Sequence, residues 1–201
     1  MTKEKMQADP PTPYKIPDPE EFTRNVLKAY EDGGRAVTQF LDRSDTQLTP
    51  FSAASEMTRA TETVSAIYTR WMSDPAKFAQ AQAELVGSYA ELWNRTMQRM
   101  LGIEPEPVIE PAPTDNRFRD PEWSKNPYFD FVKQAYLLTT KWAEDNLAQT
   151  EGLDEAGRQK AEFYFRLLTS AFSPSNFPAT NPEVMRETLT TNGRNLVEGV
   201  N

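Results

Sequence analysis

Three observations predict an all-α chain. No stretch alternates apolar and polar residues for long enough to make a strand. Apolar residues recur instead at three- and four-residue steps in six stretches, and four of these open on helix-start signals: Asp18-Pro19, Asp74-Pro75, Asn126-Pro127 and Asn181-Pro182. The expected architecture is one or more helical hairpins plus a small aromatic-rich helical domain, with a proline-rich linker between them and a disordered N-terminus.

Residues 1–17 are polar and proline-rich, with too little apolar surface to offset the entropy of ordering. Asp18 then caps a helix predicted over 19–43, with Phe22, Val26, Ala29, Tyr30, Val37, Phe40 and Leu41 at helical spacing. Gly33-Gly34 costs about 1 kcal/mol per glycine relative to alanine, so this helix is expected to kink or split there. Over 50–72, Ala54, Met57, Val64, Tyr68 and Trp71 form a heptad-like stripe. Asp74-Pro75 starts a further helix, whose apolar face carries Phe78, Leu85, Tyr89, Leu92, Trp93, Met97, Met100 and Leu101 and which ends at Gly102. Both stripes are narrow, so each helix needs a partner.

The alternating prolines of 104–114 predict an extended, solvated linker and a domain boundary. Beyond it Phe118, Trp123, Tyr128, Phe129, Phe131, Tyr136 and Trp142 supply core material at a density the first half lacks. Asp120-Pro121-Glu122-Trp123 reads as a capped turn. Helices are predicted over 127–149, with a wide apolar arc buried on more than one side, over 154–172, and over 182–198. Between the last two, Ser173–Glu183 holds two prolines within five residues and ends on Asn181 as N-cap, Pro182 at the first turn and Glu183 at the positive end of the helix dipole. The spacing alone favours a capped interhelical joint over a docking joint. The predicted division is 1–17 disordered, 18–103 amphipathic association helices, 104–114 linker, and 115–201 a helical domain truncated at its C-terminal end.

Composition narrows the chemistry. The 38% hydrophobic share lies below the roughly 45–50% of globular chains, and 16 prolines outnumber 8 glycines. A net charge of −8 opposes nucleic-acid binding, which needs a basic surface to release counterions. No apolar run is long enough for a membrane span, so a soluble, intracellular chain is expected. With neither cysteine nor histidine, the chain can assemble no Ser/His/Asp or Cys/His triad and no zinc site of the usual composition. No catalytic, cofactor-binding or metal-binding residue is therefore expected. Glu144-Asp145 and Asp154-Glu155 read as solvated faces and caps.

The ordered motifs Asn116-Arg117-Phe118-Arg119-Asp120-Pro121-Glu122-Trp123, Asn126-Pro127-Tyr128-Phe129-Asp130-Phe131, Tyr136-Leu137-Leu138-Thr139, Ser173–Phe177 with Thr180–Glu183, and Thr191-Asn192-Gly193 with Asn195-Leu196 resemble the N-terminal region of class I polyhydroxyalkanoate synthases. The resemblance is dense over 115–201 and weaker over Asp74–Trp93. In that family a following α/β-hydrolase-like domain carries the cysteine nucleophile, histidine and aspartate that polymerise hydroxyacyl-CoA, so no catalytic residue transfers to this chain. The resemblance implies support of that catalytic domain, association with a second synthase subunit, and attachment to phasin-like proteins and the polyester granule surface in the cytoplasm. On that basis Asn176, Phe177 and Asn181 are candidate docking residues. Tyr68, Trp71, Leu85, Tyr89, Leu92 and Trp93 are candidate association residues, with a hairpin packed only on itself as the plainer reading. A free-standing phasin-like coat protein is the alternative.

Overall fold

The computed structural model describes residues 16–45 and 53–199. The disorder expected for 1–17 falls outside the described residues over 1–15, as do the side chains of Val37, Phe40, Leu41, Ala54 and Met57. Eight helices follow one another among the described residues: α1 (Pro19–Asp45), α2 (Ala53–Met72), α3 (Pro75–Met100), α4 (Glu122–Lys125), α5 (Pro127–Ala148), α6 (Glu155–Ala171), α7 (Pro182–Thr190) and α8 (Arg194–Glu198). They include no strand, as the sequence predicts, and no helix long and apolar enough to cross a membrane.

Caps set the helix starts. The Asp74, Asn126 and Asp154 side chains accept from Lys77, Tyr128 and Gly157 amides, and Pro75 and Pro127 occupy the first turns of their helices. Gly102, at φ +82°, closes α3 with the Ile103 amide reaching back to the Gln98 carbonyl. Two expectations change. The α1 helix is not split, because Gly33 and Gly34 remain helical and the hydrogen-bond ladder tolerates their cost. The single helix expected over 182–198 is two helices, because Asn192 (φ +52°) and Gly193 (φ +79°) adopt left-handed conformations and the Gly193 amide donates back to the Thr188 carbonyl at 2.7 Å. That is a Schellman ending with asparagine in the place usually held by glycine.

The α2–α3 hairpin lies against α5 and α6. Helices α3 and α5 run antiparallel: Trp142 donates to the Ala81 carbonyl, the Tyr89 hydroxyl meets Thr139, and Trp93 meets Phe131. Ile67, Leu147 and Ala161 form one buried cluster, with Trp71, Leu153 and Phe165 packed on it. Phe118, Trp123 and Phe129 form a second, bordered by Tyr136, Leu137 and Met185. Helix α1 lies on α8. The Asp18 amide donates to the Asn192 side chain, Asn25 donates to the Asn192 carbonyl, and Glu21 accepts from both Asn192 and Arg194.

Beside the aromatic cluster lies a buried polar centre. Asp130, 4% exposed, accepts from Arg99 of α3 at 3.1 Å, Lys133 at 3.0 Å and Gln134 at 2.7 Å. Lys133 also donates to the Trp123 carbonyl, and Arg99 to the Ser124 carbonyl. The Gln134 carbonyl oxygen accepts from the Val108 and Ile109 amides, and Arg95 and Arg99 bond the carbonyls of Pro105, Glu106 and Pro107. The proline-rich stretch expected to be solvated is thus fastened along α3 and α5. Proline lacks an amide, and of the amides that remain in this stretch those of Val108 and Ile109 find a side-chain acceptor.

Removing one member of a buried charged set leaves the others uncompensated, typically at about 3–5 kcal/mol. Asp130→Ala should lower unfolding stability by that amount in urea titration. Gln134→Ala should cost less and chiefly raise amide exchange at Val108 and Ile109.

Candidate docking interface

The joint between α6 and α7 is built from its own polar side chains. Ser173 is fully buried, and its hydroxyl lies 2.8 Å from that of Ser175; a 3₁₀ turn covers Pro174–Asn176. Asn176 donates to the Ser170 and Ala171 carbonyls and so closes the end of α6. Thr180 donates to the Pro174 carbonyl at 2.7 Å, and Asn181 donates to that of Ser175 at 2.7 Å. The other atom of the Asn181 amide accepts from Glu183 and Val184, which makes it the N-cap of α7. Pro182 is buried, and Tyr128 donates to the Ala179 carbonyl.

Two of the three predicted docking residues, Asn176 and Asn181, are therefore braces within the joint. Phe177 is 44% exposed. Asn176 pins the joint to the end of α6, where Phe163, Leu167 and Phe172 are also exposed. Phe163 and Leu167 are one turn apart, so an apolar strip on α6 runs toward the joint. The joint is anchored from behind by Arg186 of α7, which forms an ion pair with Asp120 just ahead of α4. Burial pushes the Asp120 carboxyl up, but hydrogen bonds from Arg186 and the Glu122 amide outweigh it and hold the group below its ordinary value.

The six candidates on α2 and α3 divide by position around each helix. Trp71 packs edge-on against Trp142 and donates to Thr150, Tyr89 bonds Thr139 and the Ala135 carbonyl, and Leu92 is completely enclosed. Leu85 is half-buried on the same inner side. Tyr68 and Trp93 are 52% and 58% exposed, each with one ring edge on a neighbour, Phe78 and Phe131. Exposed beside Trp93 are Val86, Met97, Met100, Leu101 and Ile103. Val86 escapes sequence reading because it lies on a second apolar line, one residue displaced from the face built on Leu85, Tyr89 and Leu92.

A cleft of about 550 Å³ separates the α2–α3 turn from the end of α5, walled by Trp71 and Trp142 and rimmed by the Lys77–Glu151 ion pair at 2.8 Å. Both of its indole N–H groups are bonded within the chain, to Thr150 and to the Ala81 carbonyl, and the rim pair is fully solvated. Among the described residues no three His, Cys, Asp or Glu side chains converge as a metal site. What the surface offers is apolar contact: one strip on α6 and the joint, another on α3.

Residues 114–201 match the model of the family described as poly-beta-hydroxybutyrate polymerase (PhaC) N-terminus. Over 188 residues the chain is 41% identical to a poly(3-hydroxyalkanoate) polymerase subunit PhaC of Rhizobium meliloti, covering 94% of this chain and 31% of the relative. It is 46% identical over 174 residues to a poly(3-hydroxyalkanoate) polymerase of Methylorubrum extorquens, covering 87% of this chain and 28% of the relative. Identity to the Cupriavidus necator polymerase subunit is 32% over 126 residues, 63% of this chain and 20% of that one. The chain spans about a third of the length of these relatives or less, and matches their N-terminal part. No solved structure matches it.

Replacing an asparagine N-cap costs typically about 1 kcal/mol; Asn181→Ala should lose at least that, since the bond to Ser175 goes with it, measured by thermal unfolding. The depressed Asp120 carboxyl contributes stability that is complete above its unfolded value near ~4 and lost as pH falls through its lower folded value. Arg186→Met should flatten the acid limb of a stability–pH profile.

Proposed function

From the premise that residues 114–201 belong to the poly-beta-hydroxybutyrate polymerase N-terminus family, we propose that this chain is a non-catalytic N-terminal part of a polyhydroxyalkanoate synthase. It supports the stability of the catalytic part, subunit association, and attachment to the polyester granule or its phasin-like coat in the cytoplasm. The relatives are named polymerases, and the segment matched here lies at their N-terminal end. Polymer formation from 3-hydroxyacyl-CoA is assigned to the part of the relatives that this chain does not cover. In keeping with this, the chain carries no cysteine or histidine with which to form an acyl-enzyme in the usual way.

The observation that carries the reading is the division of labour within Ser173–Glu183. Its polar side chains are consumed in holding the loop rigid, while Phe177, the Phe163–Leu167 strip of α6 and, on another side, Phe172 at the end of that helix are left outward. A rigid loop presenting apolar surface suits docking, because little ordering entropy is lost on contact. We assign this surface to the catalytic part of the synthase, since it lies within the family segment. The helices of 18–103, ahead of the 104–114 stretch, are assigned to subunit and granule association.

A polymerase from one of the relatives, lacking the matched segment, tests the reading. Fusing this chain in its place should restore polymer synthesis and granule association, and Phe172→Ser with Phe177→Ser in the fusion should reduce both while leaving the helical circular dichroism of the isolated chain unchanged. Turnover of 3-hydroxybutyryl-CoA by this chain alone, or a fusion no better than the shortened polymerase, would overturn it.

A further inference from the structure

Helix α3 carries two apolar seams; α5 takes up one and touches the other only where Phe131 meets the edge of Trp93. The inner seam, built on Phe78, Leu85, Tyr89 and Leu92, faces the body of the protein. Displaced by one residue is an outer seam that steps strictly by four and three from Ala79 to Met100, apolar at all seven positions and exposed at every one. Heptad spacing kept over three repeats is the pattern with which one helix packs lengthwise on another, and this one spans roughly 32 Å.

Its residues are graded. The first half is small, Ala79, Ala83 and Val86; the second half is large, Trp93, Met97 and Met100; Ala90 lies between. A graded seam fits itself only when reversed. With two copies antiparallel and crossing near Ala90, Ala79 faces the partner's Met100, Ala83 the partner's Met97, and Val86 the partner's Trp93. Gly87, where an added Cβ would meet nothing within 4 Å, leaves room beside Trp93 for the opposing helix. A parallel arrangement would place Trp93 on Trp93.

We propose that the outer face of α3 is the contact between two copies of this chain, paired antiparallel about Ala90. Such a contact is isologous: each large residue fills the space beside a small one twice over. The inference rests on the subunit association proposed above and assigns it to particular residues.

Sedimentation equilibrium of the 201-residue chain over about a hundredfold range of concentration tests it. The mass should rise from 22.9 kDa toward twice that value. Val86→Glu and Met97→Glu, both at exposed positions, should each weaken the dimer by at least about tenfold with unchanged helical circular dichroism, because each buries an unpaired charge in the contact. Because the chain has no cysteine, mixed Ala83→Cys and Met97→Cys variants should form a disulfide-linked heterodimer, with neither variant linking to itself. Self-linking of Ala83→Cys overturns the antiparallel register. A wild-type dimer indifferent to Val86→Glu overturns this face and leaves subunit association standing; a monomer at every concentration overturns both. A monomer that adsorbs to polyhydroxybutyrate particles through Trp93 assigns the face to the polymer instead.

Discussion

The packing of α3 and the proline-rich stretch on α4 and α5 depends on the Asp130 carboxylate. It accepts from an arginine of α3 and from a lysine and a glutamine of its own helix, and it sits beside the aromatic cluster. Its partners reach outward in turn to the carbonyls of Trp123, Ser124 and Pro105 and to the amides of Val108 and Ile109. Segments from α3, α4, α5 and the proline-rich stretch are held in register around one charge. A hydrophobic replacement of the same volume could be as stable or more so, since desolvating ions is costly. It would not specify where the proline-rich stretch lies along α3 and α5. The network contributes position more than free energy.

That positioning shapes both surfaces offered to partners. Fastening α3 to α5 turns Leu92 inward and leaves Trp93, its neighbour in sequence, at the border of the outer face. Pinning α7 through Arg186 and Asp120 sets the α6–α7 joint at a fixed place over the aromatic cluster, with Phe177 outward. In each case a buried polar contact decides which apolar residues are left for others.

The helix starts and the all-α class are legible in the sequence, because proline and a preceding asparagine or aspartate act through a few covalently adjacent atoms. The ending at Asn192-Gly193 is less so, since asparagine there could as readily have continued the helix at a modest cost. The polar centre is illegible for a different reason. Asp130, Lys133 and Gln134 lie at the spacing of an ordinary solvated face, and only the arrival of Arg99 from a distant helix makes them interior. The candidate docking residues show the same limit. The local role of Asn181 as a cap is plain from Asn-Pro-Glu, whereas its bond to Ser175 depends on the curvature of the loop. That Tyr89 and Leu92 face inward and Val86 outward depends on which of two neighbouring seams α5 selects.

The contact of α1 with α8 joins nearly opposite ends of the described chain, Asp18 to Asn192. Its consequence is one of timing on the ribosome. At about 5–20 residues per second, the first helix waits roughly 10–30 s for the residues that complete its binding surface to be made. During that interval Phe22 lacks its contact with the Asn192-Gly193 turn, while α2 to α6 can already collapse on one another. Among the described helices the earliest in the chain is thus the last to complete its contacts, and its seating on α8 reports that translation has passed Asn192.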